Sequence, residues 1–407
     1  MAAARALLRS AAGDRSAHRP AGGLGELLDG MHQAPPELLP VVATRAGRAL
    51  GLRITIYLVD YEQRVLHPLG EPEGPHLTPL GVDSSLPGRA FRTVETVPST
   101  RGEHPRLWVP LLDGVERLGV LDVVPPRGAD LGDRSAPGLP VVVRPDRAPG
   151  DHQHALRRRG GLCAPAAGAD LIWQLLPPLT AATGDFTVSG LLEPCYEVGG
   201  DAFDYALSSG SATLAIFDAV GHSMRSGFVA AAALAASRST RRVGHGLFEQ
   251  ARAVDETISG QFPGGAFATG VLAELDLRSG RLRYVNAGHP EPLLLRSGKV
   301  VRRLTGGRRL PFGLGTGVLT VAEEFLQPDD WLVLHTDGVT EARDHNGVFF
   351  GDERLVDFLE REAAAAHPPP ETARRLVKAV LAHQNGVLQD DASVLLARWV
   401  KGDELRP

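Results

Sequence analysis

Five aspartates between positions 201 and 391 of this 407-residue chain stand next to short apolar runs: Asp201, Asp218, Asp337, Asp390 and Asp391. The apolar run at residues 331–334 leads to Asp337, and the run at residues 212–217 ends directly at Asp218. Such runs are typical of buried strands, and glycine next to the acidic residue permits a sharp turn at the strand end. The pattern predicts several carboxylates at the ends of strands.

Carboxylates that converge without a cation repel one another, which raises some of their pKa values by about 1 to 3 units, at about 1.4 kcal/mol per unit. A bound divalent metal ion removes that cost. The candidate ligands are all oxygen atoms, with no cysteine pair and no helical histidine pair among them. Such a ligand set favours Mg or Mn over Zn.

Five short motifs occur in a fixed order: Gly199-Gly200-Asp201, residues 218–222, residues 286–290 (Asn-Ala-Gly-His-Pro), residues 336–343 and Asp390-Asp391. In this order and spacing they resemble the metal-dependent PPM-type serine/threonine protein phosphatases, in particular their bacterial SpoIIE-like branch. The resemblance extends from about residue 169 to residue 398. Each motif is weak alone, and it is their agreement in order that indicates the family.

The resemblance implies six metal-binding residues: Asp201, Asp218, Ala219, Asp337, Asp390 and Asp391. Asp218 would bridge two Mn or Mg ions, and the carbonyl of Ala219 would bind one of them. Asp337 and Asp390 would bind the second ion, with Asp391 as the close rival of Asp390. No other cofactor is expected.

Asp201 would bind an ion directly or hold its waters. His222 is the candidate for protonating the leaving seryl oxygen, although a histidine there is also typical of a helix cap. The family usually has glycine where this chain has Ser223, a difference that would lower activity if the position needs a positive φ. Asn286 and His289 are expected to shape a turn under the site.

Phosphate monoesters hydrolyse extremely slowly in water, so an enzyme needs a nucleophile near pH 7 and a cationic clamp on the phosphate. Two metal ions about 3.5 to 4 Å apart supply both. The resemblance implies that the substrate is a phosphoserine on an anti-sigma factor antagonist in a partner-switching pathway. The alternative is a catalytically weak or silent scaffold that binds the same partner. A dinuclear nuclease would be expected to have histidine ligands and a basic groove, and neither is visible.

The region 169–400 contains short strands in hairpins and helices grouped in pairs. A helix over residues 169–176 is followed by strands such as 187–192 and 202–207. Helix pairs are predicted at 228–241 with 247–258, and at 353–366 with 372–383. This pattern favours an α+β fold, and the resemblance implies a four-layer αββα sandwich.

Residues 35–125 resemble a GAF-like α/β sensor domain, on the motif at residues 86–91 and the strand pair 107–112 and 117–124. The functional interpretation is a pocket that receives a signal. The alternative is a dimerising structural module, with the protein as a homodimer. Residues 1–34 are expected to be disordered, and the Pro/Gly/Arg-rich stretch 126–168 is expected to be a linker.

A net charge of −5 and no basic stripe argue against nucleic-acid binding. The longest apolar stretch, residues 227–236, is far shorter than the roughly 20 residues that a membrane span needs. Two cysteines without metal-site spacing and no signal-peptide pattern indicate a cytoplasmic protein.

Overall fold

A computed structural model describes residues 39–49, 51–60, 62–69, 77–99, 105–113, 115–125, 141–143, 167–195, 199–221, 224–262, 264–315 and 319–400. The chain divides into two compact units, Met1–Cys163 and Ala164–Pro407. The predicted disordered segment 1–34 and most of the predicted linker 126–168 lie outside the described residues. No helix in the described ranges is long and apolar enough to span a lipid bilayer.

The described N-terminal unit is one sheet with two helices. Its elements are α1 (Leu39–Ala49), β1 (Arg53–Val59), β2 (Val65–Leu69), β3 (Leu80–Gly81), α2 (Leu86–Thr93), β4 (Val97–Ser99), β5 (Arg106–Asp113), β6 (Glu116–Val124) and β7 (Val141–Val143). The strand order is β3-β2-β1-β6-β5-β4, with β7 parallel to β5. The valine run that the sequence places in the linker therefore contributes a strand to this sheet.

Alternate side chains of β1 belong to two apolar clusters on opposite faces of the sheet, because successive strand residues point to opposite faces. Ile56 packs in one cluster with Ala43 of α1, whereas Tyr57 packs in the other with Phe91 of α2. Helix α2 begins where the Ser85 hydroxyl accepts a hydrogen bond from the Gly88 N–H at 3.1 Å. The predicted motif at residues 86–91 thus forms a helix on one face of the sheet, while the GAF-like assignment stays a prediction.

The C-terminal unit contains six described helices: α3 (Ala167–Leu175), α4 (Met224–Arg242), α5 (Leu247–Gln261), α6 (Asp337–Thr340), α7 (Gly351–Ala364) and α8 (Pro369–His383). Its described strands are β8 (Thr180–Ala182), β9 (Phe186–Glu193), β10 (Asp201–Leu207), β11 (Ser211–Ala219), β12 (Ala268–Asp276), β13 (Arg281–Ala287), β14 (Leu293–Arg296), β15 (Lys299–Arg303), β16 (Arg308–Arg309), β17 (Ala322–Phe325), β18 (Trp331–His335) and β19 (Ala392–Trp399).

These strands form two sheets. The first sheet has the order β10-β11-β12-β13-β16, with β17 also paired to β13. The second sheet has the order β15-β14-β18-β19-β9-β8. The sheets approach closely where Gly190 of β9 meets the ring of Phe203 on β10, since a Cβ at position 190 would lie 2.4 Å from that ring.

Helices cover the outer face of each sheet. Helices α4 and α5 pack on the first sheet, and α7 and α8 pack on the second. The core between α8 and the second sheet includes Leu376, Val380 and Val394, each fully buried. The predicted α+β fold and its four-layer αββα sandwich are confirmed.

Candidate functional site

Three polar side chains form a row across the first sheet. Asp201 of β10 is paired with Asp218 of β11, and Asp218 is paired on its other side with Thr269 of β12. Directly opposed residues on antiparallel strands project from the same face, with Cβ atoms about 4.5–5.5 Å apart. The register of the first sheet therefore places two carboxylates and a hydroxyl side by side.

The second sheet supplies carboxylates from two adjacent strands. Asp337 begins α6 two residues after β18, and Asp390 and Asp391 directly precede β19. The short helix can lie against the start of β19 only because residue 338 is glycine. A Cβ there would fall 1.9 Å from the carbonyl oxygen of Asp391.

One cavity of about 220 Å³ brings these groups together. Its walls include all six residues that the sequence predicts as metal ligands: Asp201, Asp218, Ala219, Asp337, Asp390 and Asp391. Gly200 lines it too, and a Cβ at that position would lie 2.6 Å from the Ala219 carbonyl oxygen. The predicted residues converge on one cavity, and their roles as ligands stay predictions. His222 and Ser223 lie outside the described residues.

The carboxylates disfavour one another's charged form. Burial, followed by repulsion from Asp337, Asp390 and Asp391, raises the pKa of Asp218 to about 7. Burial and repulsion from Asp218 and Asp391 also raise the pKa of Asp201 well above its usual value. The cavity is therefore a place where positive charge would be strongly stabilised.

Asp390 and Asp391, which the sequence does not separate, have different surroundings. The carboxylate of Asp391 is buried and accepts backbone hydrogen bonds from Cys195 at 2.8 Å, from Gly200 at 2.9 Å and from Asp201 at 3.4 Å. Asp390 is exposed, and one of its oxygens accepts a hydrogen bond from the Asp391 N–H at 2.8 Å. Asp391 thus fastens the backbone before β10, whereas Asp390 keeps an oxygen open to the cavity.

Thr336 supports Asp201 from the second sheet. Its hydroxyl donates to the Asp201 carboxylate at 2.7 Å and accepts from the Ser393 N–H at 3.0 Å. The sequence alone gives Thr336 no role of its own, although its place directly before Asp337 is a usable signal. The sequence around Thr269 gives no such signal, because only the strand register brings Thr269 beside Asp218.

The turn at residues 286–289 is closed by Asn286. Its side chain accepts from the His289 N–H at 2.8 Å and donates to the His289 carbonyl at 3.0 Å. Gly288 within the turn has a φ of +67°, a conformation that glycine adopts without strain. The side chain of His289 is buried, and its Nδ1 lies 2.8 Å from the Thr269 hydroxyl.

A second cavity of about 250 Å³ shares Asp337 and Asp390 with the first. Glu341 and Arg343 are among its other lining residues. The Arg343 guanidinium stacks 4.7 Å from the centre of the Phe349 ring, which holds it at the edge of this space. The acidic site therefore continues into a groove with one cationic side chain.

The donor set suits Mg or Mn. No group of three or more His, Cys, Asp or Glu side chains in the described ranges is arranged to hold a metal ion by itself. Mg²⁺ usually keeps several waters and binds through only one or two carboxylates, so such a prearranged cage is not required. All-oxygen lining with raised carboxylate pKa values fits a hydrated divalent ion.

A family match covers the part of the chain that carries most of the site. Residues 208–400 match the family model described as stage II sporulation protein E (SpoIIE). This matched stretch, the SpoIIE segment, includes Asp218, Asp337 and Asp390, while Asp201 lies just before it.

Individual relatives of the SpoIIE segment are distant. Protein IcfG of Synechocystis sp. is 29% identical over 131 residues, which are 32% of this chain and 20% of that protein. A structure of the RsbU and RsbW domains of Rv1364c from Mycobacterium tuberculosis is similar at 25% identity, covering 55% of this chain and 63% of that one, with a TM-score of 0.47. The SiaA-PP2C domain of Pseudomonas aeruginosa is similar at 24% identity, covering 52% and 85%, with a TM-score of 0.47.

Proposed function

We propose that the C-terminal unit is a divalent-metal-dependent phosphatase that hydrolyses phosphoserine or phosphothreonine in a protein. The observation that carries the proposal is the convergence of five aspartates, from both sheets, on one cavity. The match of residues 208–400 to the SpoIIE family model supports the reaction type.

Asp218, Asp337, Asp390 and the Ala219 carbonyl would hold two Mg or Mn ions, and Asp201 would hold their waters. When bound, such ions lower the pKa of water and offset the charge of a phosphoryl group. Without them, the pKa of Asp218, raised to about 7, leaves its carboxyl group partly protonated near pH 7.

The remaining residues of the site keep these groups in place. The Asp391 carboxylate holds Gly200 and Asp201 through their N–H groups, and Thr336 holds the Asp201 side chain at 2.7 Å. Each contact joins one sheet to the other, so the two halves of the cavity are fixed together. Rigid positioning of this kind is what a site for phosphoryl transfer requires.

For the substrate, we propose a phosphoserine on an anti-sigma factor antagonist in a partner-switching pathway. The order of the motifs at residues 199–201, 218–222, 286–290, 336–343 and 390–391 supports it. A GAF-like N-terminal unit would then supply the regulatory input. The described sheet with one helix on each face is compatible with that role.

The test is hydrolysis of p-nitrophenyl phosphate and of phosphoserine peptides by the full chain, with Mn, with Mg and with excess EDTA. We expect hydrolysis with either metal and none with EDTA. Asp218→Asn should abolish it, and Asp352→Asn, which removes an exposed carboxylate of α7, should not. A folded parent chain that binds Mn but hydrolyses nothing would instead favour the silent scaffold.

A further inference from the structure

Thr269 is the uncharged member of the row Asp201–Asp218–Thr269. It lines the acidic cavity and is half-buried. Its hydroxyl has one proton to donate and two lone pairs with which to accept. Which of these faces the cavity depends on the group behind the hydroxyl, and that group is His289, with its Nδ1 at 2.8 Å.

The ring of His289 is held firmly. The side chain is only 2% exposed. Both main-chain polar groups of His289 are hydrogen-bonded to the side chain of Asn286. The buried ring on this fixed main chain is therefore a defined partner for the Thr269 hydroxyl.

The surroundings of His289 select one proton arrangement. Burial is the largest cause that lowers its pKa, to about 3, so the ring is neutral at physiological pH and carries one proton. Nε2 is buried without a hydrogen-bond partner among the described residues, whereas Nδ1 lies 2.8 Å from the Thr269 hydroxyl. Because an unpaired buried N–H is rarer than an unpaired acceptor, the proton belongs on Nδ1. Nδ1 is then a donor.

We propose that Thr269 and His289 form a positioning pair, in which the Nδ1–H of His289 donates to the Thr269 hydroxyl oxygen and Thr269 turns its own proton toward the cavity. The hydroxyl then donates a hydrogen bond to a water held beside Asp218. The pair orients that water without touching the reacting phosphorus. This inference rests on the proposed phosphatase function only for its kinetic consequence.

The proton arrangement can be tested on the metal-free full chain by nitrogen NMR of its histidine rings, with His289→Asn to identify the signals of residue 289. We expect a neutral ring with the proton on Nδ1 and with Nδ1–H donating a hydrogen bond. In Thr269→Val the Nδ1 signal should move toward that of an N–H without an acceptor. A proton on Nε2, or a spectrum that Thr269→Val leaves unchanged, would overturn the proposal whether or not the protein is a phosphatase.

The kinetic test compares Thr269→Val with Thr269→Ser in the Mn-loaded chain. Loss of a positioning partner at a metal site costs about 10-fold to 100-fold in activity. We expect Thr269→Val to lower kcat by this amount with little change in KM, and Thr269→Ser to restore most of the loss. Thr213→Val, on β11 of the same sheet, is the matched control, since its hydroxyl faces the Ala206 carbonyl at 3.4 Å.

A double variant tests whether Thr269 and His289 act as a pair or as two independent residues. If they act together, Thr269→Val combined with His289→Asn should be no slower than the slower single variant, because effects of residues that act as a unit do not add. Multiplied losses would contradict the pair. An inactive parent chain would refute the proposed function, while an active parent with a fully active Thr269→Val would refute this inference alone.

Discussion

The carboxylate of Asp391 accepts a hydrogen bond from the backbone N–H of Gly200 at 2.9 Å, although 191 positions separate the two residues. Asp391 precedes the central strand of the second sheet, and Gly200 precedes the edge strand of the first. One buried side chain therefore ties the two sheets together at the rim of the acidic cavity.

Asp391→Asn and Asp390→Asn should consequently have different effects on the stability of the metal-free protein. An amide at position 391 presents an NH₂ group to backbone N–H donors, and each buried donor left unsatisfied costs about 1–3 kcal/mol. Asp391→Asn should lower the free energy of unfolding, whereas Asp390→Asn should leave it unchanged or raise it by relieving repulsion. Urea unfolding in EDTA measures both, and equal effects would contradict the difference in roles.

Asp218→Asn should make the metal-free protein more stable and should slow the proposed phosphate hydrolysis. The substitution removes one charge from the row while keeping its shape, which relieves repulsion on the order of 1 kcal/mol. Mn should stabilise the variant less than the parent, because ligand stabilisation follows affinity. Thermal melts with EDTA and with Mn, beside Asp352→Asn, decide this. A variant that melts lower without metal and keeps its full Mn response would show that Asp218 is not a ligand.

The stability of the metal-free protein should depend on pH through the titration of Asp218. Its pKa rises from 3.8 to about 7 on folding, so the folded state binds the proton more tightly and stability is lost as the pH rises through 7. His289, with a pKa lowered to about 3, acts oppositely and costs stability as the pH falls below 6.5. Subtracting the curve of Asp218→Asn from that of the parent removes the histidine contribution. The difference in the free energy of unfolding should decrease as the pH rises from about 4 to about 8. A difference that does not change with pH would contradict the raised pKa.

Thr336→Val should weaken Mn binding without removing a ligand. The Asp201 carboxylate would lose its 2.7 Å donor from the second sheet, and loss of such a partner costs about 10-fold to 100-fold in metal affinity. Thr336→Ser keeps the hydroxyl and should bind Mn nearly as well as the parent. Calorimetric titration of the full chain measures the dissociation constants, and equal values for the valine and serine variants would contradict this role.

Gly338→Ala should destabilise the protein, because its new Cβ would meet the Asp391 carbonyl oxygen. Overpacking of a buried contact typically costs about 1–3 kcal/mol. Gly260→Ala is the control, since Gly260 lies in α5 with open space around it. That change should stabilise the protein by up to about 1 kcal/mol through helix propensity. Chemical unfolding of both variants would show effects of opposite sign.

Local sequence patterns predict much of the layout of the site. Apolar runs next to Asp218, Asp337 and Asp391 predict strand ends, and those ends do lie at one cavity. Local patterns do not predict strand register, because register joins segments that are distant in the sequence. Nothing in the residues around Thr269 shows that it pairs with Asp218.

The choice between Asp390 and Asp391 has the same origin. Both carboxylates precede β19, and which of them turns inward depends on backbone donors from Cys195 and Gly200 that lie far away in sequence. The run Val141–Val143 likewise has no neighbouring segment in the sequence that would identify it as a strand. It pairs with β5, and the stretch just before it has an irregular composition. Patterns of composition thus predict elements better than they predict which elements meet.

Strand β19 is the last described element along the chain, yet it lies between β18 and β9 inside the second sheet. Its pairing with β9 joins residues about two hundred positions apart. Contacts of such long range form late, because the intervening chain must first be ordered. A growing polypeptide on the ribosome therefore holds no complete acidic cavity until β19 has emerged. Translation that stops before β19 leaves the cavity without its second sheet complete, and the appearance of Mn binding during refolding should mark the closing of that sheet.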